Sequence, residues 1–169
     1  MSRFIFSIGI PRSGKSTYLK NLSKSIENCI ILSGDSFRYA ITGERFNLNS
    51  ELHVRASLVA AARALLLDGY NVILDETNTS EYNQKQLLDL HESPEIILIH
   101  SPIYVCVERA IECNQRDLIP SIHRMQENLE KFYQKVKENR HDKRINKDNT
   151  TEIGPIFYHL FTKDEYRKN

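Results

Sequence analysis

Apolar and polar residues alternate in blocks along the chain, and these blocks predict strands separated by helices. Four short apolar runs are typical of β-strands and occupy residues 3–8, 28–33, 70–75 and 95–101. Most of these runs are nearly continuously apolar, as expected for strands that are covered on both faces. Between and after them, apolar residues recur at spacings of three and four, which predicts helices over about residues 16–27, 51–68, 79–91, 103–113 and 121–136.

Strands and helices that alternate along a chain favour an α/β fold with a mainly parallel sheet flanked by helices. The stretch "DLIP", after Arg116, interrupts the helical pattern and predicts a lid over about residues 114–120. Residues 139–154 are predicted to form a polar, basic loop, and "PIFYHLF" (155–161) to form a final strand or a packed tail. We expect one domain over residues 1–169.

Composition limits the classes of partner. With 40% hydrophobic and 27% charged residues the chain is ordinary for a globular protein, and its net charge of +1 provides no general attraction to polyanions or membranes. Residues 131–147 hold seven Lys/Arg and two acidic residues, which suits either a nucleic-acid backbone or a solvated loop. Three cysteines without a C-x-x-C pair, and no membrane span, predict a cytoplasmic protein.

The segment "GIPRSGKS", between the first strand and the first helix, matches G-x-x-x-x-G-K-[ST] in full. Its backbone N–H groups and the N-terminus of the following helix are suited to bind phosphate oxygens. Lys15 is suited to contact the β- and γ-phosphates, and the Ser16 hydroxyl to bind Mg²⁺. The alternative is an accidental glycine-rich turn. Arg12 is unusual in such a loop and has three possible orientations: outward, on the γ-phosphate or on the acceptor. The predicted ATP-binding residues are Gly9, Pro11, Arg12, Ser13, Gly14, Lys15, Ser16 and Thr17.

Polar residues follow the third strand. They lie at its carboxyl end, and parallel sheets bind their ligands at the carboxyl ends of strands. Asp75 ends this strand and is the predicted Mg²⁺ partner of Ser16. The alternative is that Asp75 or Thr77 only caps the next helix. Asn78 suits substrate positioning or turn stabilisation equally well.

The stretch "SGDSFR" follows the second strand and carries the candidate base and an anion-binding cation. Asp35 and Arg38 are three residues apart, which places both on one face of a helix's first turn. A kinase needs a base for the attacking hydroxyl and a cation for the acceptor anion. The alternative is that Asp35 is a plain N-cap and Arg38 is solvated.

Arg109 and Arg116 flank the end of the helix that follows the fourth strand. An arginine on a lid neutralises charge on a transferring phosphoryl group and helps to exclude water. The alternative is that both arginines are solvated.

Together these motifs resemble the P-loop kinase domain of the phage-type 5′-polynucleotide kinases. The resemblance rests on "GIPRSGKST", "GDSFR", "ILDETN" and "CNQRDLIP", in this order, and covers about residues 3–138. It implies a P-loop kinase fold with an Arg-bearing lid, in which the strand bearing Asp75 lies beside the strand bearing the phosphate loop. It also implies that Lys15, Ser16 and Arg116 serve the donor phosphates and the metal.

The same resemblance implies that Asp35 is the general base for a terminal 5′-hydroxyl. It implies that Arg38 holds the phosphate on the 3′ side of the acceptor nucleotide. The chain departs from the family at Ser36, where a second acidic residue is frequent, and at Arg12, where a small residue is usual. A chain of 169 residues is too short for an additional phosphatase domain, so no 3′-phosphatase activity is expected.

Three functions fit these residues. The first is a kinase that uses ATP, or another NTP, with Mg²⁺ to phosphorylate 5′-hydroxyl ends of DNA or RNA. Asp35, Lys15 and Arg116 would then be catalytic, and Asp35, Arg38 and Asn78 would bind the acceptor. The second is a kinase for a nucleoside, a sugar, an antibiotic or another small molecule. The third is an ATP-binding switch without an acceptor, which leaves Asp35 and Arg38 unexplained.

Overall fold

The computed structural model describes residues 2–139 and 157–161. It contains the strands β1 Phe4–Ile8, β2 Cys29–Ser33, β3 Asn71–Asp75, β4 Glu95–His100 and β5 Phe157–Phe161. They form one sheet in the order β2-β3-β1-β4-β5, in which the first four strands are parallel and β5 is antiparallel to β4. The predicted α/β fold is confirmed, and the strand that ends at Asp75 lies beside β1, as expected.

In the described ranges, six helices connect or follow the strands: α1 Lys15–Ser23, α2 Gly34–Thr42, α3 Glu51–Leu67, α4 Glu81–Leu88, α5 Ile103–Glu112 and α6 Ile119–Asn139. Two short 3₁₀ turns precede α3 and α6, at Leu48–Ser50 and Arg116–Leu118. The predicted ends of several helices were wrong by a few residues. For example, α4 begins at Glu81 rather than Thr79 because Ser80 is its N-cap and accepts a hydrogen bond from Asn83 N.

The apolar strands are buried because helices cover both faces of the sheet. All five residues of β1 are buried, and they alternate between the two faces. Phe4, Phe6 and Ile8 belong to a large core that also includes buried residues of α3, α5 and α6. Ile5 belongs to a smaller core on the other face, where it packs with Leu19 of α1.

The end of the chain was predicted as a strand or a packed tail, and residues 157–161 form a strand that pairs with β4. The predicted polar loop, apart from residue 139, lies outside the described residues, as do residues 140–147 of the basic stretch. Within the described part of the chain, no helix has both the length and the apolarity needed to cross a bilayer.

The carboxyl ends of the parallel strands β1, β2 and β3 lie at one edge of the sheet, and the phosphate loop follows β1 at that edge. Ser33 at the end of β2 pairs in register with Asp75 at the end of β3. β1 is flanked by β3 and β4, and the chain moves from one side of β1 to the other between these two strands. This reversal is the topological switch point at which open α/β sheets bind ligands.

We predict that Leu58→Ala lowers the free energy of unfolding by about 2–5 kcal/mol, because it removes buried methyl groups and leaves a cavity in the larger core. Leu58 is 1% exposed and Leu67, on the same helix, is 82% exposed. Leu67→Ala is therefore the matched control and should change the free energy by less than about 0.5 kcal/mol. Urea denaturation measures both. Equal losses for the two variants would contradict the packing of α3 against the sheet.

Candidate active site

The phosphate loop runs from Gly9, after β1, to Ser16 in the first turn of α1. Gly9 N donates a 2.9 Å hydrogen bond to the carbonyl of Thr77, which joins the loop to the segment after β3. A β-carbon at Gly9 would collide with the backbone carbonyl of Ile99, so only glycine fits there. Gly14 is the N-cap of α1 with φ of 95°, and the loop therefore leads directly into the positive end of that helix.

Polar groups inside the loop are buried and only partly satisfied. Lys15 is buried, and its Nζ donates a 2.7 Å hydrogen bond back to the carbonyl of Ile10. The Ser13 hydroxyl is buried and has no hydrogen-bond partner among the described residues. Burial lowers the pKa of Lys15, while the nearby charges of Asp75 and Glu76 oppose that shift. A phosphate group would supply the negative charge and the acceptors that this loop lacks.

Ser16 and Asp75 provide the oxygen ligands that Mg²⁺ prefers. Ser16 is exposed at the start of α1, and Asp75 is half-buried at the end of β3. Within residues 2–139 and 157–161, no three His, Cys, Asp or Glu side chains form a group able to hold a metal ion. A magnesium ion at Ser16 and Asp75 would therefore complete its shell with phosphate oxygens and water. The metal roles of both residues, and the ATP-binding role of the exposed Thr17, stay predictions.

The Arg38 cluster consists of Arg38 and three carboxylates, Asp35, Glu51 and Glu76. Arg38 Nε and Nη2 donate hydrogen bonds of 2.9 and 3.0 Å to the two carboxylate oxygens of Glu51. Arg38 Nη1 donates a 2.9 Å hydrogen bond to Asp35 Oδ1, and Nη2 lies 3.2 Å from Glu76 Oε1. One guanidinium therefore joins α2, α3 and the segment that follows β3.

The side chains of the Arg38 cluster differ in their exposed fraction. The side chain of Asp35 is 77% exposed, whereas those of Arg38 and Glu76 are 16% and 14% exposed. Asp35 is not the cap of α2, because Ser33 holds the N-cap position and Asp35 lies in the first turn. The capping alternative for Asp35 was wrong, and so was the alternative of a solvated Arg38. The arrangement leaves the Asp35 carboxylate accessible, and the hydrogen bond from Arg38 orients it.

Two groups in the Arg38 cluster have a pKa above the ordinary value, for different reasons. Burial raises the pKa of Glu76 above its ordinary value, although the charge of Arg38 and a hydrogen bond from Thr77 N oppose the shift. Burial would lower the pKa of Arg38, but the hydrogen bonds and charges of its carboxylate partners outweigh it and raise that pKa. Arg38 therefore stays charged, and ionisation of Glu76 is less favourable than that of a fully solvated glutamate.

The turn after β3 is fixed by a buried side chain, that of Asn78. Its Nδ2 donates a 2.9 Å hydrogen bond to the carbonyl of Ser7, and its Oδ1 accepts a 3.0 Å hydrogen bond from Arg55 Nη1. Asn78 has φ of 44° and is 1% exposed. These contacts account for the turn-stabilising role of Asn78, and its contact with substrate stays a prediction. Ser80 caps α4, so the capping alternative for Asp75 and Thr77 was wrong.

The predicted lid is a 3₁₀ turn, Arg116–Leu118, that continues directly into α6. Arg116 is exposed on this turn. Arg109 is not a solvated residue: its Nη1 donates a 3.0 Å hydrogen bond to the carbonyl of Arg12 in the phosphate loop. The Arg12 side chain points outward from the loop to Gln115, which accepts a hydrogen bond from its Nη2. The donor role of Arg116 and the ATP-binding role of Arg12 stay predictions.

Sequence reasoning missed three residues that hold the site together: Glu51, Glu76 and Arg55. Glu51 lies at the start of α3, 13 positions after Arg38, and no local spacing links the two. Arg55 is one helical turn further along and contacts Asn78, Gln86 and the carbonyl of Asn83. The one available signal was the spacing of Glu51 and Arg55, which predicts that both lie on one face of α3.

Comparison with known proteins places the chain in a family. The AAA_33 family model, described as an AAA domain, matches residues 4–132. The chain belongs to this AAA domain family. No curated protein matches the sequence. Family and fold together identify an AAA domain with the architecture of P-loop kinases.

Solved structures share the fold of this AAA domain at low sequence identity. A chain of the Pnkp1/Rnl/Hen1 RNA repair complex superposes with a TM-score of 0.69 at 20% identity, over 79% of this chain and 46% of its own length. A putative kinase from Chloroflexus aurantiacus J-10-fl superposes with a TM-score of 0.58 at 21% identity, over 69% and 70% of the two chains. A gluconokinase from Sinorhizobium meliloti 1021 gives 0.54 at 16%, over 75% and 74%.

This AAA domain spans less than half the length of the RNA repair chain that it matches. All three likenesses are below 25% identity, so they establish the fold and leave the acceptor open.

We predict that ionisation of Glu76 destabilises the folded protein. Because burial raises its folded-state pKa, the stabilising contribution of Glu76 is complete below its ordinary pKa and is lost as the pH rises through the folded-state value. The free energy of unfolding of wild type, relative to Glu76→Gln, should therefore fall as the pH rises from about 4 towards neutrality. Urea titrations at several pH values measure this difference.

The exposed Glu92, replaced by Gln, is the matched control for removal of one carboxylate. If wild type instead gained stability over Glu76→Gln as the pH rose, the attraction of Arg38 would outweigh burial, and the assigned direction of the pKa shift would be wrong.

Proposed function

We propose that this AAA domain is a kinase that transfers the γ-phosphate of ATP, or of another NTP, to 5′-hydroxyl ends of DNA or RNA. The observation that carries the proposal is the state of Asp35. Its carboxylate is exposed and is oriented by a 2.9 Å hydrogen bond from Arg38, and Asp35 lies just after β2, whose last residue pairs in register with Asp75 at the edge of the sheet that carries the phosphate loop. A general base for an incoming hydroxyl needs this combination of accessibility, fixed orientation and closeness to the donor phosphates.

In the proposed reaction, Asp35 accepts the proton of the 5′-hydroxyl. The 5′-oxygen then forms a bond to the γ-phosphorus, and the bond between that phosphorus and the β,γ-bridging oxygen breaks, so that ADP leaves. Lys15 and Arg116 would stabilise the negative charge on the phosphoryl oxygens. Ser16 and Asp75 would hold Mg²⁺, which when bound supplies positive charge to the donor phosphates.

The acceptor class is supported by the motifs around Arg38 and by one structural likeness. The D-x-x-R segment after β2 and the D-x-T-N segment after β3 resemble those of 5′-polynucleotide kinases. A chain of an RNA repair complex shares the fold over 79% of this chain. In this proposal Arg38 contacts the acceptor beside Asp35, and Asn78 supports the acceptor site through the turn that it stabilises. Nucleic-acid 5′ ends are the physiological partner.

We predict that the purified protein transfers labelled γ-phosphate to a 5′-hydroxyl oligonucleotide and that Asp35→Asn lowers kcat at least about 100-fold. The substitution keeps the size of the side chain and its hydrogen bond from Arg38 but removes the proton acceptor. Lys15→Ala should also lower transfer strongly, through loss of charge at the donor phosphates. Asp68→Asn, an exposed aspartate at the end of α3, is the matched control and should leave kcat unchanged.

Two results would contradict the proposal. The first is the absence of transfer to every DNA and RNA acceptor tested. The second is full transfer activity of Asp35→Asn. An ATP-binding switch without an acceptor would instead give the first result, with slow ATP hydrolysis that does not depend on Asp35 or Arg38.

A small-molecule kinase is the second candidate function, and the charge of the Arg38 cluster favours it. Three carboxylates surround one guanidinium, so an acceptor that carries a phosphate would approach a region of net negative charge. A neutral sugar or nucleoside hydroxyl would not meet this repulsion. The fold shared with a gluconokinase supports the same reading.

The two functions predict different stimulation of ADP release. A polynucleotide kinase should release ADP with an oligonucleotide and not with nucleosides or sugars at the same concentration. If one metabolite stimulates release while oligonucleotides do not, the small-molecule function replaces the polynucleotide one.

A further inference from the structure

Arg12 adopts a backbone conformation that arginine does not favour. Its φ is 65°, in the left-handed region, where a β-carbon is strained and glycine is not. Glycine at this position would form the same loop without that strain. The arginine side chain is therefore the feature that a glycine could not provide. Its Nη2 donates a hydrogen bond to Gln115 Oε1.

Arg12 is fixed from α5 as well as by its own side chain. Arg109 Nη1 donates to the Arg12 carbonyl at 3.0 Å. Gln115 N donates to the carbonyl of Ala110 at 2.8 Å, and Asn114, with φ of 54°, turns the chain at the end of α5. These hydrogen bonds connect the phosphate loop to α5, and both of them to the segment that leads into Arg116.

A second arginine holds the same turn from the acceptor side. Arg45 lies in the connection between α2 and α3, the two helices that carry Asp35, Arg38 and Glu51. Its Nη2 forms an ion pair with Asp117, the residue after Arg116. Residues 115 and 117 are therefore tied to opposite sides of the site, while the Arg116 side chain between them is exposed.

We propose that Arg12 is a positioning residue, which holds the turn that carries Arg116 against the phosphate loop through Gln115, and that Arg45 completes the hold through Asp117. Arg12 acts on the turn and not on the donor phosphates. This proposal rests on the proposed kinase function, in which Arg116 stabilises the transferring phosphoryl group. It assigns to the phosphate loop a second task, that of orienting the lid arginine.

The decisive variant is Gln115→Ala, because it removes the tether and leaves the Arg12 guanidinium in place. If Arg12 acts through the turn, Gln115→Ala and Arg12→Gly should each lower kcat about 10- to 100-fold, with less than about a twofold change in the donor KM. Their effects should not multiply in the double variant. Arg12→Lys, which keeps a donor for Gln115, should recover most of the activity.

The arginine that the tether positions gives a further test. In an Arg116→Ala background, Gln115→Ala should have no additional effect on kcat. Gln126→Ala, a glutamine of similar exposure on α6, is the matched control and should match wild type. Thermal melting of Arg12→Gly checks its folding, and a midpoint at or above that of wild type is expected because the strain is relieved.

A readout without any acceptor separates this proposal from the proposed function. The association and dissociation rates of a ribose-labelled nucleoside diphosphate should both rise several-fold in Gln115→Ala and Arg12→Gly, with little change in affinity, because the turn no longer covers the donor site. Wild-type activity together with a wild-type dissociation rate in Gln115→Ala would overturn the tether, as would multiplicative effects with Arg116→Ala. A wild type that binds nucleotide but phosphorylates no acceptor would contradict only the kinase function.

Discussion

A largely buried carboxylate, that of Glu76, imposes the constraint on which the site depends. Its side chain is 14% exposed and has a raised pKa, so its charge is tolerated only beside a cation. Arg38 is that cation, and Arg38 in turn needs Glu51 and Asp35 to satisfy its remaining N–H groups. Removing one partner of a buried ion pair typically costs about 3–5 kcal/mol, whereas exposed pairs are worth far less. Arg38, which pairs with Glu76, therefore also orients the exposed Asp35.

The same constraint links the acceptor side of the site to the phosphate loop. Gly34 leaves room for the Glu76 carboxylate, since a β-carbon there would collide with it. Ser7 Oγ, at the end of β1, donates to the carbonyl of Glu76 at 2.9 Å, and Gly9 N donates to Thr77. The segment after β3 thus touches both the strand that enters the phosphate loop and the cluster that orients the base. A rigid connection between donor and acceptor sites is what in-line transfer requires.

The sequence was most informative where function is encoded locally. Periodicity located the four parallel strands and five of the six described helices to within a few residues, and the phosphate loop is one contiguous segment in its expected context. It did not locate α2, which was expected only as a helical first turn at Asp35 and Arg38, and it left β5 open as a strand or a packed tail. Asp35 and Arg38 are three residues apart, so their contact follows from helical geometry alone. Boundaries failed where a single side chain decides them, as Ser80 does at the start of α4.

Contacts between distant segments could not be predicted from one sequence. The pairing of Arg38 with Glu51 and Glu76 depends on how α3 packs beside α2, and the bond from Arg12 to Gln115 joins residues 103 positions apart. Arg12 is an unusual residue type in a phosphate loop. Only its positive φ and its hydrogen bond to Gln115 indicate what its side chain does. Arg109 likewise has a defined contact that its position in the sequence did not suggest.

The central claim is that Asp35 is the base that faces the acceptor hydroxyl, and a crystal structure of the ternary complex tests it most directly. The complex would contain a non-hydrolysable ATP analogue and a 5′-hydroxyl oligonucleotide. We predict that the 5′-oxygen lies within hydrogen-bond distance of the Asp35 carboxylate, about 2.6–3.2 Å, and in line with the γ-phosphorus. A 5′-hydroxyl bound in line but contacted by another base, with Asp35 turned to solvent, would contradict it.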